Sequence, residues 1–468
     1  MMKRLHTLLV ASSITLVAAS SIDAQTILTG PDGLKYEITS ETDRTAILST
    51  NQNKKSGDLS LPSIVSLGGV EYTITGIDNS AFAYCDEISS ITIPDGYTTI
   101  GEYAFYCCTN MTSIKIPNSI NRIGPFAFCY CHRLKSITIP PQVTKIEKCL
   151  LYGCKNLTDI SLPTNLTEIE REAFANCQVK ELTLGPLVSK FGSLAFEYCS
   201  NLEKITIDSE NPYIIFRDGV IYDKDMRTVL TAIPSVSSVT IPTSVTKIAE
   251  GAFEKTGLAS ISLPNTLIEI QPFAFSDCLE LSEIEIPEGV ETIGACAFVH
   301  CRNLVEISLP STLKELGPHI EGNDDGKISE GGVFFNCNNL NTIYCHATVP
   351  PETSNQNFLF YGLDYSKAIL YIPAGTRELY ASPSLQWGRF QNIVEMDFTG
   401  IDTMEATDAV TVKAVGGRII VEGEDDATVE VYAINGSVVY TGAADTIPTL
   451  PHGVYIVRVA TTTAKVVL

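Results

Sequence analysis

The chain has 468 residues, 44% of them hydrophobic and 18% charged, a composition that argues against a disordered polymer and allows a large buried core. Its 32 Lys plus Arg face 54 Asp plus Glu, for a formal net charge of -22. No basic cluster exceeds Lys54-Lys55 and scattered Lys-x-x-x-Arg spacings, so neither nucleic acid nor an anionic membrane surface is expected as a partner.

The first residues, Met1-Met2-Lys3-Arg4, are basic and lead into an apolar run from Leu8 to Ala19 that is too short to span a bilayer. Residues 1–24 therefore read as a secretory signal peptide cleaved after Ala24. No later stretch approaches a membrane-spanning length, so the mature chain is expected without a transmembrane helix, secreted or held at the cell surface. Residues 25–75 carry short alternating segments, Tyr36-Glu37-Ile38 and Ala46-Ile47-Leu48, which suit a β cap over the open end of the neighbouring segment.

Self-similarity organises the next three hundred residues. The pair Ala-Phe recurs at Phe82, Phe105 and Phe128, spaced by 23 residues; Leu151 fills the next slot, and Phe174, Phe196, Phe253, Phe275 and Phe298 continue the series. A cysteine stands three residues after each aromatic, at Cys85, Cys108, Cys131, Cys154, Cys177, Cys199, Cys278, Cys301 and Cys337, with Thr256 as the exception. A four-residue strand of the form I-x-I-P comes next, as in Ile91 to Pro94 and Ile284 to Pro287, and then a V-x-x-I-G segment such as Val290 to Gly294 returns the chain to the next Ala-Phe turn.

Alternation in I-x-I places both isoleucines on one side of the strand and the middle residue towards water; proline then ends the strand. One unit cannot bury its own apolar side, so units must stack Phe on Phe, Ile on Ile and Cys on Cys. The expected fold is a β-rich, leucine-rich-repeat-like solenoid, a right-handed superhelix of units of about 23 residues with short strands and turns or short helices. The aligned cysteines point to free buried thiols. Disulfides stay open, because rungs about 4.8 Å apart lie near the lower end of disulfide Cα separations.

Two insertions break the period. Around 208–238 the residues Asn211-Pro212-Tyr213 and Asp218-Gly219-Val220-Ile221-Tyr222-Asp223 read as an added hairpin. Around 317–332 an acidic loop, Glu321-Gly322-Asn323-Asp324-Asp325-Gly326, lacks the spacing of a calcium-binding loop. After the repeats, Ala368 to Pro373 makes a last strand, and Trp387 lies in a terminal helical or turn segment. From about residue 400 to 468 the pattern changes to short strands, Arg418 to Glu422, Thr428 to Ala433, Ser437 to Thr441 and Val454 to Val459, which predict a small C-terminal β-sandwich.

A-F-x-x-C followed by L-x-x-I-x-I-P at this spacing resembles the BspA-like leucine-rich repeat of surface proteins from Bacteroidetes and some protists, over about residues 58–395. The resemblance implies an exported protein that binds host matrix components, other cells or glycans. The tail, with Val431-Tyr432-Ala433-Ile434-Asn435-Gly436, Leu450-Pro451-His452-Gly453-Val454-Tyr455 and Lys465 to Leu468, resembles the C-terminal sorting domain of the type IX secretion pathway, which implies outer-membrane passage and surface attachment. A carbohydrate-binding or spacer module is the other reading of the tail, and an enzyme-associated periplasmic or surface protein the other reading of the chain.

Familiar catalytic arrangements are missing from the sequence: there is no G-x-S-x-G, no H-E-x-x-H, no phosphate loop and no dinucleotide fingerprint. Cys129-Tyr130-Cys131-His132, and Cys296 to Cys301 with His300, carry zinc-ligand residue types, but Cys131 and Cys301 belong to the inward series. Glu283, Glu285 and Glu306 flank strand core positions as a solvated face. No enzyme, cofactor or metal is expected. The predicted binding face is the row of strand middle positions, Thr92, Lys115, Thr138, Ser161, Thr183, Thr206, Thr240, Ser262, Glu285 and Ser308, with Ser60 ahead of them; nine of these eleven are Ser or Thr. Tyr84, Tyr130 and Tyr198 near the turns are a second candidate as aromatic anchors. The partner is expected to be an extracellular protein or glycan, and the chain a monomer.

Overall fold

The computed structural model describes residues 27–51, 55–317, 332–353, 359–382, 385–396, 398, 411–415, 418–422, 428–433, 438–448, 450, 454–459 and 462–467. The expected signal peptide, the acidic residues 321–326, His319 and His452 lie outside them. The fold is a β-solenoid of about 13 turns with almost no helix. By contact it divides into a unit of residues up to 341 with 351–364, and a second of 342–350 with 365–468.

In the first unit every coil contributes to three ladders. The I-x-I strands form the first, parallel and in register, with Thr92 opposite both Ser60 and Lys115, Thr138 opposite Ser161, Thr183 opposite Thr206, Thr240 opposite Ser262 and Glu285 opposite Ser308. The isoleucines on either side turn inward; Ile91, Ile93, Ile137, Ile139, Ile284 and Ile286 are all buried. The V-x-x-I-G segment, read from sequence as a return path, is itself a ladder of two-residue parallel strands. Lys145–Ile146 pairs with Glu168–Ile169 and then Lys190–Phe191, and Thr228–Ala232 with Lys247–Ile248, Glu269–Ile270 and Thr292–Ile293 in turn. Its glycine has a steric cause, since a Cβ on Gly124 would lie 2.6 Å from the Glu102 amide nitrogen of the preceding coil.

The A-F-x-x-C corner makes the third ladder. Amides of alternate residues point one way, into the carbonyls of the following coil: Ser80 to Glu102 (2.8 Å), Phe82 to Ala104 (2.8 Å) and Tyr84 to Tyr106 (2.7 Å). The intervening amides of Ala81, Ala83 and Cys85 close back onto their own coil, three residues earlier. This alternation requires the residue before Ala and the residue before Cys to adopt the left-handed conformation, which they do at Ser80 and Tyr84, Tyr103 and Cys107, Phe126 and Tyr130, and so on to Cys296 and His300.

Inside the corner the phenylalanines stack. Centroids of Phe82 and Phe105, then Phe105 and Phe128, are 5.5 Å apart with rings nearly parallel; Leu151 interrupts, and the stack resumes from Phe174 to Phe196 and from Phe253 through Phe275 and Phe298 to Phe334. These separations fit offset stacking. Next to them run the cysteines, all free thiols. Each thiol donates to the aromatic-position carbonyl of the preceding coil: Cys108 to Phe82 (3.2 Å), Cys131 to Phe105 (3.3 Å), Cys154 to Phe128 (3.2 Å) and Cys301 to Phe275 (3.1 Å). Thr256, at the exceptional position, donates its hydroxyl to Phe253 O instead (2.8 Å).

Three antiparallel strands, Ile27–Thr29, Lys35–Ser40 and Thr45–Leu48, begin the described chain. Buried Asn51 ends them and supplies what a preceding coil would: its amide donates to Ala81 O, and its carbonyl accepts the Cys85 thiol (3.4 Å). The insertion after Ile207 is a three-stranded antiparallel meander rather than a hairpin, Ile214–Arg217, Val220–Asp223 and Thr228–Ala232, whose last strand rejoins the second ladder.

In the second unit Thr342–Cys345, Ile369–Pro373 and Asn392–Met396 run parallel. A short helix, Arg377–Tyr380, is followed by a 3-10 turn carrying buried Trp387, and Tyr380 donates to Ala347 O (2.7 Å). The chain from 411 forms an antiparallel pair, Thr411–Val415 with Arg418–Glu422, and a four-stranded antiparallel sheet ordered Val438–Ala443, Thr428–Ala433, Val454–Val459, Thr462–Val467. Ile419, Val429, Val431, Tyr455, Val457 and Val459 form its core.

The thiol ladder generates two expected outcomes. Cys154→Ala removes a second hydrogen bond to Phe128 O and a buried sulfur, and is expected to lower the unfolding free energy by about 1–2 kcal/mol in urea titration; an unchanged midpoint would count against the bond. Burial pushes the Cys85 thiol up to about 11 and Cys154 up to about 12, and only the thiolate reacts. An aromatic disulfide reagent at pH 8 should therefore modify half-buried Cys107 first and the ladder thiols only on unfolding; equal rates would refute the burial argument.

Candidate binding face

The first ladder presents the predicted row to solvent. Thr92, Lys115, Thr138, Ser161, Thr183, Thr206, Thr240, Ser262 and Glu285 are exposed, and Ser308 is half-buried. Where the strands pair in register, as at Thr92 and Lys115, Thr138 and Ser161, Thr183 and Thr206, Thr240 and Ser262, and Glu285 and Ser308, each side chain stands directly beside its equivalent on the next coil. Two residues before each middle position runs a second outward column, of which sequence reasoning singled out only Glu283 and Glu306. It includes Ser90, whose hydroxyl bonds Asp58 (2.6 Å), Ser260, which bonds Ser238 (2.9 Å), and Lys204, which pairs with Glu181 (3.6 Å). The period-2 rule that singled out the middle positions also implies this column. Its polarity changes along the chain, ending in Glu283 beside Glu306, whose carboxyl is held above its ordinary range by burial and then by Glu283.

The tyrosines fall on the third ladder. Tyr84 is 56% exposed and Tyr130 half-buried; Tyr106 joins them and Tyr152 extends the run beyond Tyr130, and sequence reasoning selected neither of these two. Ring centroids run Tyr84 to Tyr106 5.3 Å, Tyr106 to Tyr130 5.8 Å and Tyr130 to Tyr152 5.3 Å, each pair edge to face. The alternation has a sequence cause. Tyr84 and Tyr130 directly precede the ladder cysteine, whereas Tyr106 and Tyr152 stand one residue earlier, so neighbouring rings leave the backbone in different directions and meet at a steep angle instead of stacking. Tyr198, 55% exposed, stands apart from this run, with the Lys255 ammonium 5.8 Å from its centroid.

The zinc-type residues are committed elsewhere. His132 Nδ1 lies 2.8 Å from Gly153 O and His300 Nδ1 3.0 Å from Asp277, while Cys131 and Cys301 donate into the ladder. Among the described residues no group of three or more His, Cys, Asp or Glu is arranged to hold a metal ion, and no helix is long and apolar enough to cross a membrane.

Comparison with known proteins agrees with this geometry. The family profile described as BspA type leucine rich repeat region matches residues 72–214 and 230–323 in six copies. Among solved structures, the chain is similar to a leucine rich cell surface protein from Faecalibacterium prausnitzii A2-165, at 23% identity over 69% of this chain and 95% of that one, TM-score 0.50. It is also similar to the pneumococcal vaccine antigen PcpA, at 20% identity over 80% of this chain and all of that one, TM-score 0.60. These identities speak for the fold. No curated protein sequence matches the chain.

Where coils meet across the insertion, the third ladder holds a charged cluster. Glu197, its side chain 4% exposed, takes the Lys255 ammonium at 2.6 Å, and Glu254 lies among Arg171, Lys255, Glu197 and Asp277. Burial, opposed by Arg171 and Lys255, pushes the Glu254 carboxyl from 4.5 up to about 8. The folded chain therefore keeps a proton that the unfolded chain releases, and stability declines as pH rises from about 4.5 through about 8. Glu254→Gln should flatten that slope and raise the thermal midpoint at pH 8 relative to pH 5; an identical pH profile in the variant would contradict it.

Proposed function

The chain belongs to the BspA-type leucine-rich-repeat family, and from that premise we propose that it is exported to the cell surface and works there as a non-catalytic binding or adhesion platform for extracellular proteins, other cells or glycans. The observation that carries this reading is the division of labour within each coil. The apolar side is consumed by stacking, whereas the middle strand positions, from Thr92 to Ser308, stand in register on an outward wall. Such a wall presents small hydroxyl side chains over many coils and suits an extended ligand better than a compact one. Export is supported by the basic and then apolar start of the sequence, and we assign residues 400–468, with their antiparallel strands around Val429, Val431 and Val457, to sorting or attachment of the type IX kind.

Fractionation of producing cells, with amino-terminal sequencing of the mature chain, should find it at the surface and beginning at Gln25. The purified full mature chain should bind immobilised matrix proteins or glycans. Thr138→Arg with Ser161→Arg, two bulky exposed substitutions side by side on the wall, should weaken that binding by roughly tenfold or more while leaving the thermal midpoint unchanged. A strictly periplasmic chain that binds none of these surfaces would overturn the proposal.

A further inference from the structure

The coil at Cys177 departs from the two beside it at the edge that follows the ladder cysteine, as the coil at Thr256 also does with Thr256-Gly257-Leu258. Adjacent coils read Cys154-Lys155-Asn156-Leu157 and Cys199-Ser200-Asn201-Leu202, but the coil between them reads Cys177-Gln178-Val179 and is one residue shorter. Val179 is buried in the place that Leu157 and Leu202 occupy, so the missing residue comes out of the surface. The result is a shallow cleft lined by Lys135, Lys155, Asn156, Thr158, Gln178 and Asn201.

Its chemistry runs against the charge of the chain. The chain carries a net charge of -22, yet the lining holds two lysines and no carboxylate. Lys145 and Lys204 pair with Glu170 and Glu181, whereas among the described residues neither Lys135 nor Lys155 has an ion-pair partner. The floor is ordered: the Gln178 amide donates to Leu157 O (2.9 Å), and Asn201 Nδ2 to Gln178 Oε1 (2.8 Å). That leaves Gln178 Nε2, Asn201 Oδ1 and the Asn156 side chain without a protein partner among the described residues. Such a set offers amide donors and acceptors beside two cations, with no aliphatic or aromatic residue in the lining.

From this we infer that the cleft is a subsite for an anionic saccharide, in which Lys135 and Lys155 take a carboxylate or sulfate group and the amides of Asn156, Gln178 and Asn201 take ring hydroxyls. An acidic peptide would engage the two lysines through its carboxylates, but the three amide side chains beside them are matched better by the closely spaced hydroxyls of a sugar, each both donor and acceptor. The inference rests on the surface-binding reading and deepens it by naming a ligand class and a place.

Calorimetric titration of the full mature chain with tetragalacturonate, sulfated maltotetraose, neutral maltotetraose and a tetra-aspartate peptide tests it. The expected result is binding of either anionic sugar, weakened by added salt, with little response to the neutral sugar or the peptide. Lys135→Glu with Lys155→Glu should reduce affinity by roughly tenfold or more, whereas Lys314→Glu, a charge reversal at a lysine already paired with Glu291, should leave it unchanged. Equal binding by the double variant, or equal binding of the tetra-aspartate peptide, overturns the assignment. If no anionic sugar binds while the chain still adheres to immobilised matrix protein, the cleft inference falls and the surface-binding reading stands; if neither occurs, both fall.

Discussion

Every coil of this chain is completed by the next one, and the corner A-F-x-x-C is where that dependence is strictest. There the amides at Ser80, Phe82 and Tyr84 have no partner within their own coil and must reach the carbonyls of Glu102, Ala104 and Tyr106. To aim them so, two residues per corner sit in the left-handed region, most of them not glycine. Each such residue costs roughly 1–3 kcal/mol. That strain persists because the phenylalanine stack, the thiol bonds and the inter-coil amide bonds all require the same backbone path. The cap obeys the same constraint, since Asn51 stands where a preceding coil would offer its amide and carbonyl.

Side-chain repetition was legible in the sequence, and backbone conformation was not. The recurrence of Phe82, Phe105 and Phe128 dictates the aromatic stack, and alternation at Ile91-Thr92-Ile93 dictates which face of the first ladder is wet; both result from translation of one unit. The second ladder escaped because two-residue strands such as Lys145–Ile146 are too short for period-2 patterning to register. The third escaped because its left-handed positions hold Tyr84, Cys107, Tyr130 and Glu172, which carry none of the Gly or Asn chemistry that marks such turns. Tertiary stacking overrides local preference at these points. Likewise the sequence revealed an insertion after Ile207 but not its third strand, whose residues Thr228–Ala232 join a ladder that had not been recognised.

The candidate site was legible to the same degree. Middle strand positions could be chosen without coordinates because their exposure is set by the pleat. The tyrosine run could not, since it depends on Tyr106 and Tyr152 occupying a different corner position from Tyr84 and Tyr130. The cleft at Gln178 depends on a single missing residue, a departure that period-counting absorbs as noise between Phe174 and Phe196. A solenoid therefore concentrates its individuality where the period slips, while core rungs stay uniform.

Fourteen cysteines would be read in a small exported domain as a disulfide framework, and the repeat geometry argues against that reading for the ladder. Residues at equivalent positions of successive coils are related by nearly pure translation, so their Cα–Cβ vectors point the same way, whereas a disulfide needs its two arms turned roughly 90° about the S–S bond. Each ladder hydrogen is already given to a carbonyl, as Cys154 gives its own to Phe128 O, and burial suppresses the thiolate that exchange would need. Bridging two rungs would mean rotating a coil out of the stack and breaking the amide bonds that set its backbone. Resistance of the ladder thiols to bridging is thus a property of the repeat geometry, one that half-buried Cys107, outside the ladder, does not share.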